Sequence, residues 1–290
     1  MGKVRVDANR CSRCGTCVLT CPAVLFVQKE KGAVPTTVRE GFCISCGHCA
    51  AICPEGAIAH MDFPSERIRP IQRAHLPSSR QVIELLRARR SVRVFTDEPV
   101  KKDDLEAVIE AARLAPTAHN VQTTAFTVVQ SRELLKQIVQ LTADFLARTG
   151  QQLRNPMARA LLHVFSGREL KGALMVLPEF DLIVQAVREG LDPILRGAPC
   201  LLVFHAPSET VLPDTNAQLA AQNATLMAQS LGLGSFYTGY VLGASKRDKR
   251  IPQLLSIPRG HHVYAGLALG HPRFEFANWP DRKPAMVNWL

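Results

Sequence analysis

The chain has 290 residues, 47% of them apolar and 21% charged, with 35 lysines and arginines against 25 acidic residues for a formal charge of +10. This length and apolar fraction allow one or two packed domains and exclude a chain that is mainly disordered. The longest strongly apolar runs, such as 198–204 and 173–177, fall far short of the roughly 18 residues that span a bilayer. The N-terminus has no apolar signal region and no Ser or Thr at position six, so the expectation is a soluble, cytoplasmic protein without a membrane or lipid anchor.

Eight of the nine cysteines lie between Cys11 and Cys53, and only Cys200 lies beyond. In an intracellular chain such density reads as metal binding rather than disulfide bonding. The run Cys11-x2-Cys14-x2-Cys17-x3-Cys21-Pro22 recurs after 21 residues as Cys43-x2-Cys46-x2-Cys49-x3-Cys53-Pro54. Zinc is the plain alternative, although zinc sites use two cysteine pairs parted by a longer spacer, and a disulfide framework would need an exported chain.

Over about residues 1–62 the doubled run resembles the two-cluster bacterial-type ferredoxins. The resemblance implies a small ferredoxin-like domain with crossed ligation. Cys11, Cys14, Cys17 and Cys53 would hold one [4Fe–4S] cluster, and Cys43, Cys46, Cys49 and Cys21 the other, so that each half needs the other to fold. Gly15, Thr16, Gly47, Ala50 and Ala51 are small enough to let backbone amides approach the sulfurs, which helps set reduction potential. Val4–Asp7 and Ala57–Met61 read as outer strands, and His48 as a surface residue or one packed behind the ligands.

Residues 63–79 read as a linker, with Pro64, Pro70 and Pro77 and no apolar period. Between Pro64 and Arg93 eight arginines face two glutamates, but without interleaved aromatics or a recognisable nucleic-acid motif, so no nucleic-acid partner is expected. Much of the positive excess offsets cofactors, since each oxidised cluster with its thiolates carries roughly −2.

From residue 80 to 290 the pattern predicts a second domain. Ser78 and Gln81 form a capping box ahead of a helix running to about Arg89. A second helix starts at Asp103 or Asp104, with Leu105, Val108, Ile109 and Ala112 on one face. Strands are expected at Ala125–Gln130, Cys200–His205, Ser235–Thr238 and Val263–Leu269. Helices are expected at Leu134–Leu146, Phe180–Glu189 and Gln218–Leu231, the last capped by Gly232 and Gly234. No regular βαβ repeat, Gly-x-Gly-x-x-Gly or phosphate-binding lysine loop is present, so the fold class is α+β rather than a dinucleotide-binding sheet.

Arg89-Arg90-Ser91-Val92-Arg93, taken alone, is a fork of cations that is more often a solvated helix end than a phosphate site. Together with Ala111–Gln122, Arg196-Gly197-Ala198-Pro199, Leu231–Gly239, Gly270-His271-Pro272 and Arg282-Lys283-Pro284, it resembles the nitroreductase family of FMN enzymes over about residues 80–290. The resemblance implies a central mixed sheet flanked by helices and a homodimer with the flavin between subunits. Arg89, Ser91 and Arg93 match the first flavin-contacting motif, and Arg282 with Lys283 the terminal basic pair that helps hold the phosphate. Pro116, Thr117, Ala118 and Asn120 match the loop that the partner subunit lays on the flavin. Tyr237, Thr238 and Gly239 match the strand end that approaches the ring near N5. Thr124 and Thr238 depart from the family, which often has an aromatic and an acidic residue there.

Residues 147–196 carry no motif, and His163, Phe165 and Phe180 are read as core or pocket-lining. Cys200 reads as a buried structural thiol, His261, His262 and His271 as ordinary histidines, and no residue declares itself a catalytic acid or base. The expectation is an iron–sulfur flavoprotein that passes electrons from a low-potential donor, such as a ferredoxin or reductase, through two [4Fe–4S] clusters to FMN. From there they would reach an electron-poor small-molecule acceptor such as a nitroaromatic or quinone. The alternatives are an NAD(P)H-dependent FMN reductase of another substrate class, or a carrier shuttling electrons between larger redox proteins.

Overall fold

The computed structural model describes residues 3–290, with the side chains of 158–171 and 173 outside the described set, His163 and Phe165 among them. The chain divides into two compact units, Met1–Pro77 with Ala118–Val121, and Ser78–Thr117 with Gln122–Leu290. No helix among the described residues is long and apolar enough to cross a membrane.

In the first unit the expected outer strands form and pair. β1 (Val4–Val6) runs antiparallel to β4 (Ile58–His60), with Val4 opposite His60. Between them lie α1 (Thr16–Thr20), the short strands β2 (Phe26–Val27) and β3 (Thr36–Thr37), and α2 (His48–Ile52). So small a unit has only a thin core, in which Val4, Leu25, Phe26 and Ile58 pack with Cys17 and Cys49. Residues 63–77, read from composition as linker, group with this unit, and Ile68 packs against its core.

The second unit contains α3 (Ser79–Ala88), α4 (Lys102–Arg113), β5 (Ala125–Val129), α5 (Arg132–Arg154), α6 (Pro156–Arg188) and β6 (Cys200–Pro207). It continues with α7 (Pro213–Ser230), β7 (Gly234–Tyr237), α8 (Gly239–Arg247), α9 (Arg250–Leu254) and β8 (His261–Gly270). The capping box forms as expected: the Ser78 hydroxyl accepts from the Gln81 amide, and the Gln81 side chain accepts from the Ser78 amide. The sheet order is β5-β6-β8-β7 with every named pairing antiparallel, and its mixed character rests on one isolated parallel bridge between Ser91 and Ser235.

β6 is apolar on both faces because both are covered. Alternate side chains point to opposite sides of a strand, so Cys200, Leu202 and Phe204 meet α4 and α7, while Leu201 and Val203 meet α5 and α8. α7 presents Ala217, Ala220, Ala221, Ala224 and Ala228, whose small side chains let the helix lie close to the sheet. Cys200 is fully buried, and desolvation pushes its thiol up to about 12, as befits a structural residue. The region without a motif forms two long helices packed on each other, α5 extending to Arg154 through buried Gly150 and Leu153. Gly232, at φ +75, ends α7 as expected, whereas Gly234 opens β7 instead of capping the helix.

Candidate functional site

The repeated cysteine run is repeated in backbone geometry. Gly15 and Gly47, at φ +74 and +71, each precede a five-residue helix, and α1 and α2 end at Cys21 and Cys53 with nearly equal dihedral angles. Arg13 and Ser45, each one residue before the second cysteine of its run, both have positive φ. Such turns aim amides inward. The Arg13 amide donates to Cys11 Sγ (3.3 Å), Leu25 to Cys21 Sγ (3.4 Å) and Ala57 to Cys53 Sγ (3.2 Å).

Cys21, Cys43, Cys46 and Cys49 line one small cavity, which brings the last cysteine of the first run to the first three of the second. Burial pushes the Cys49 thiol up to about 11, with Cys46, Cys21 and Cys43 adding to the shift. Cys17 is likewise raised by burial, with Cys11 and Cys14 beside it. Among the described residues no three His, Cys, Asp or Glu converge on a point where they could hold a single metal ion. Four thiols around a tetrahedral zinc would each lie about 2.3 Å from it, whereas the second set surrounds a space, and amides point at the sulfurs. The donor set fits an iron–sulfur cluster.

His60 was missed by sequence reasoning, which singled out His48. It is buried at the end of β4, accepts the Asp62 amide at Nδ1 (3.1 Å), and its Nε2 lies 3.6 Å from Cys43 Sγ. Phe63 closes over its ring edge-on at 5.0 Å. No motif announces this contact, since it depends on the β1–β4 register bringing His60 back to the cysteine loop.

Of the expected flavin loop, Ala118 and Asn120 lie in the segment that groups with the first unit. The Asn120 amide donates to the carbonyls of Ser45 (2.6 Å) and Ile44 (3.4 Å), within the second cysteine run. His119, Asn120 and Gln122 all have positive φ. Such a cluster of non-glycine left-handed residues persists only where its surroundings hold it. Pro116 is exposed, and the Thr117 hydroxyl accepts the Gln122 amide (3.1 Å), closing the turn.

In the second unit the arginine run lies along β7. Val92 donates to the Ser235 carbonyl (3.1 Å), and a Cβ on Gly234 would stand 2.7 Å from Val92 Cβ, so glycine is what lets the two segments touch. Arg93 lies over the Phe236 ring at 6.0 Å, and Arg89 is near enough to Tyr237 to act on its hydroxyl. Ser91 is exposed.

Arg93, Tyr237, Thr238 and Gly239 border a cavity of about 720 Å³, a size usual for cofactor sites. Phe145, Phe180 and Tyr240 add aromatic walls, and Arg196, Lys246 and Arg247 add cations that sequence reasoning had not assigned to it. Phe180 serves both readings made of it, packing in the core and edge-on to Tyr240. The space over Gly239 is open, with no side chain or other segment within 4 Å of where a Cβ would stand, whereas the buried Thr238 hydroxyl, which has no hydrogen-bond partner, packs against Gly266 of β8. Burial raises Tyr237, and burial with a hydrogen bond to Glu179 carries Tyr240 up to about 12, so both phenols stay protonated at neutral pH.

Arg282 and Lys283 lie in the exposed segment after β8 and do not line this cavity. That segment carries exposed Phe274, Phe276, Met286, Trp289 and Leu290. Of the histidines read as ordinary, His261 shares a 2.9 Å Nδ1–Nδ1 hydrogen bond with buried His205.

Residues 86–271 match the Nitroreductase family, and residues 10–58 match a 4Fe-4S dicluster domain. An FMN reductase [NAD(P)H] of Bacillus subtilis is 31% identical over 208 residues, covering 72% of this chain and 72% of the relative. An oxygen-insensitive NADPH nitroreductase of Salmonella typhimurium is 30% identical over 205 residues, 70% of this chain and 69% of the relative. The crystal structure of a nitroreductase with bound FMN from Bacteroides fragilis shares the fold, with a TM-score of 0.55 at 21% identity over 72% of this chain and 98% of that one.

Proposed function

Because the chain belongs to the nitroreductase family and carries an N-terminal 4Fe-4S dicluster domain, it is an FMN-dependent oxidoreductase with two [4Fe–4S] clusters, and we propose that electrons from a low-potential donor pass through the clusters to FMN and then to an electron-poor small molecule such as a nitroaromatic or quinone. One observation carries this reading: a single chain holds both a ring of four thiols drawn from two cysteine runs and a cavity edged by Arg93 and Tyr237–Gly239. When bound, the clusters conduct single electrons and FMN delivers two at a time to an organic acceptor.

The chain's own residues supply placement and field. Arg89 and Arg93, with Ser91 between them, are the groups we assign to the flavin phosphate and its approach, guanidinium being suited to bidentate contact. The open space over Gly239 lets backbone come close to a flat ring. Phe145, Phe180 and Tyr240 exclude water around an aromatic acceptor. Gly15 and Gly47 permit the turns that point amides at the thiolates.

We assign the working form as a homodimer. The run of exposed apolar side chains after β8 supports this, since a second copy would cover them, and Arg282 and Lys283 would then act from within that covered segment. The similarity to an NAD(P)H-dependent FMN reductase and an NADPH nitroreductase favours NAD(P)H as a second donor. Anaerobic steady-state reduction of a nitroaromatic, driven in parallel by reduced ferredoxin and by NAD(P)H, tests the proposal. Turnover driven by ferredoxin and abolished by loss of the clusters is expected. Turnover with NAD(P)H alone, indifferent to the clusters, would contradict it.

A further inference from the structure

The two cysteine runs share their turns, their helices and the amide bond onto their fourth cysteine, and they differ at the first: Cys11 accepts the Arg13 amide, whereas Cys43 has the His60 ring beside it. Seven residues after the fourth cysteine the first half has Gln28 and the second has His60. Both Gln28 donor hydrogens are spent on backbone, on the carbonyls of Arg13 (3.0 Å) and Ala33 (2.7 Å). His60 instead reaches a ligand, with Nε2 3.6 Å from Cys43 Sγ.

The direction of that bond is fixed by the other ring nitrogen. Nδ1 accepts the Asp62 amide (3.1 Å), so the proton of the neutral ring resides on Nε2 and points at the sulfur. Asp62 is in turn anchored by the Ser45 hydroxyl (2.6 Å) and Lys3 (3.2 Å), and Phe63 packs against the ring. These contacts orient the imidazole toward the Cys43 sulfur.

We propose that His60 is a positioning residue for electron transfer: its N–H bond to Cys43 raises the reduction potential of the cluster held by Cys21, Cys43, Cys46 and Cys49, and makes the two clusters inequivalent. This rests on the reading that these thiols hold a cluster. Reduction adds one electron, with no bond made or broken and no proton required, and places extra negative charge on the thiolate sulfurs. A hydrogen bond to sulfur stabilises the reduced form more than the oxidised form. The first run has its own sulfur contacts, the Arg13 amide to Cys11 Sγ at 3.3 Å and Cys14 Sγ to Thr16 Oγ1 at 3.2 Å, but both are exposed, where water competes for the atoms. The His60 bond is buried, and a hydrogen bond is worth more in that lower dielectric.

The test is an EPR-monitored redox titration of anaerobic full-length holoprotein, after iron and labile sulfide have been counted. Eight of each per chain upholds the cluster reading, and a lower count traced to zinc refutes that reading separately. His60→Leu removes the donor while keeping bulk, and His60→Gln keeps an N–H. In His60→Leu one cluster step should shift so that its reduced-to-oxidised ratio at fixed poise falls about tenfold, which is about 59 mV for one electron. The other step should stay in place, and His60→Gln should recover most of the shift. Leu and Gln variants that titrate alike, moved or unmoved, would overturn the proposal. Should His60→Leu fail to assemble, His48→Gln protein carrying 15N-labelled histidine decides the matter, since His48 also lines the cysteine cavity and would otherwise carry the label there. A 15N hyperfine coupling at a reduced cluster supports the bond, and its absence overturns it.

Discussion

Gly234→Ala is the substitution through which the path from sequence to cofactor site is most exposed. The added Cβ would lie 2.7 Å from Val92 Cβ and Cγ1 and 2.9 Å from Cγ2. Val92 is buried and β-branched, so it has one comfortable rotamer and little room to give. Overpacking of this kind costs about 1–3 kcal/mol. At about 2–4 °C per kcal/mol for a unit of this size, melting should fall by about 2–12 °C. The strain also has a direction, because relief requires Ser91–Arg93 to move off β7, breaking the Val92-to-Ser235 hydrogen bond and carrying Arg93 from the cavity edge. FMN affinity should therefore drop by about tenfold or more, the equivalent of one charge-assisted hydrogen bond. Thermal melts and fluorescence titration with FMN measure both effects. Gly243→Ala, a helical glycine with no other segment within 4 Å of its Cβ position, is the control for the melt alone, because Gly243 itself lines the cavity, and should melt no lower than wild type. A Gly234→Ala protein that melts within a degree of wild type and binds FMN equally well would refute the reasoning.

Three further outcomes are expected. Arg93→Ala should weaken FMN about tenfold and riboflavin, which lacks the phosphate, far less; equal weakening of both, measured by titration, would show that Arg93 holds the ring or the fold. Crossed ligation predicts that Cys53→Ala disturbs the cluster of the first run and Cys21→Ala that of the second, read as loss of one EPR-active species in each, with FMN retained. Burial, and then His261 beside it, pushes the His205 pKa down to about 4. Below pH 6.5 the unfolded chain binds a proton that native His205 refuses, so stability is full above pH 6.5 and declines toward pH 4, by up to about 3 kcal/mol. Denaturant titrations at pH 7, 5.5 and 4.5 should show His205→Gln losing less than wild type as pH falls, and a constant difference between the two would count against this.

What could be read in advance was whatever depends on local spacing. The Ser78 capping box and the apolar run of β6 are local signals, and each formed where expected; the doubled cysteine run is a local signal of the same kind. The stretch from 147 to 196 was illegible for a physical reason. Gly150, Gly172 and Pro178 look like helix breakers, yet α5 and α6 run through them because tertiary packing of Leu146, Leu153, Phe180 and Ile183 outweighs propensity. His60 escaped notice because its partner is 17 residues away and is reached only through strand register. Arg196 and Lys246 join the cavity from separate elements, which no linear pattern records. Asn120 matched a flavin-loop motif, but its amide is bonded to Ile44 and Ser45, a contact that motif matching alone does not foresee.

The central claim is that electrons reach the flavin by way of the clusters. Stopped-flow mixing of anaerobic holoprotein with reduced ferredoxin, followed at the flavin absorbance, tests it most directly in wild type and in Cys46→Ala with FMN bound. The account predicts rapid flavin reduction in wild type and its loss in Cys46→Ala, while dithionite still reduces the flavin in both. Equal rates of ferredoxin-driven flavin reduction in the two proteins would contradict it.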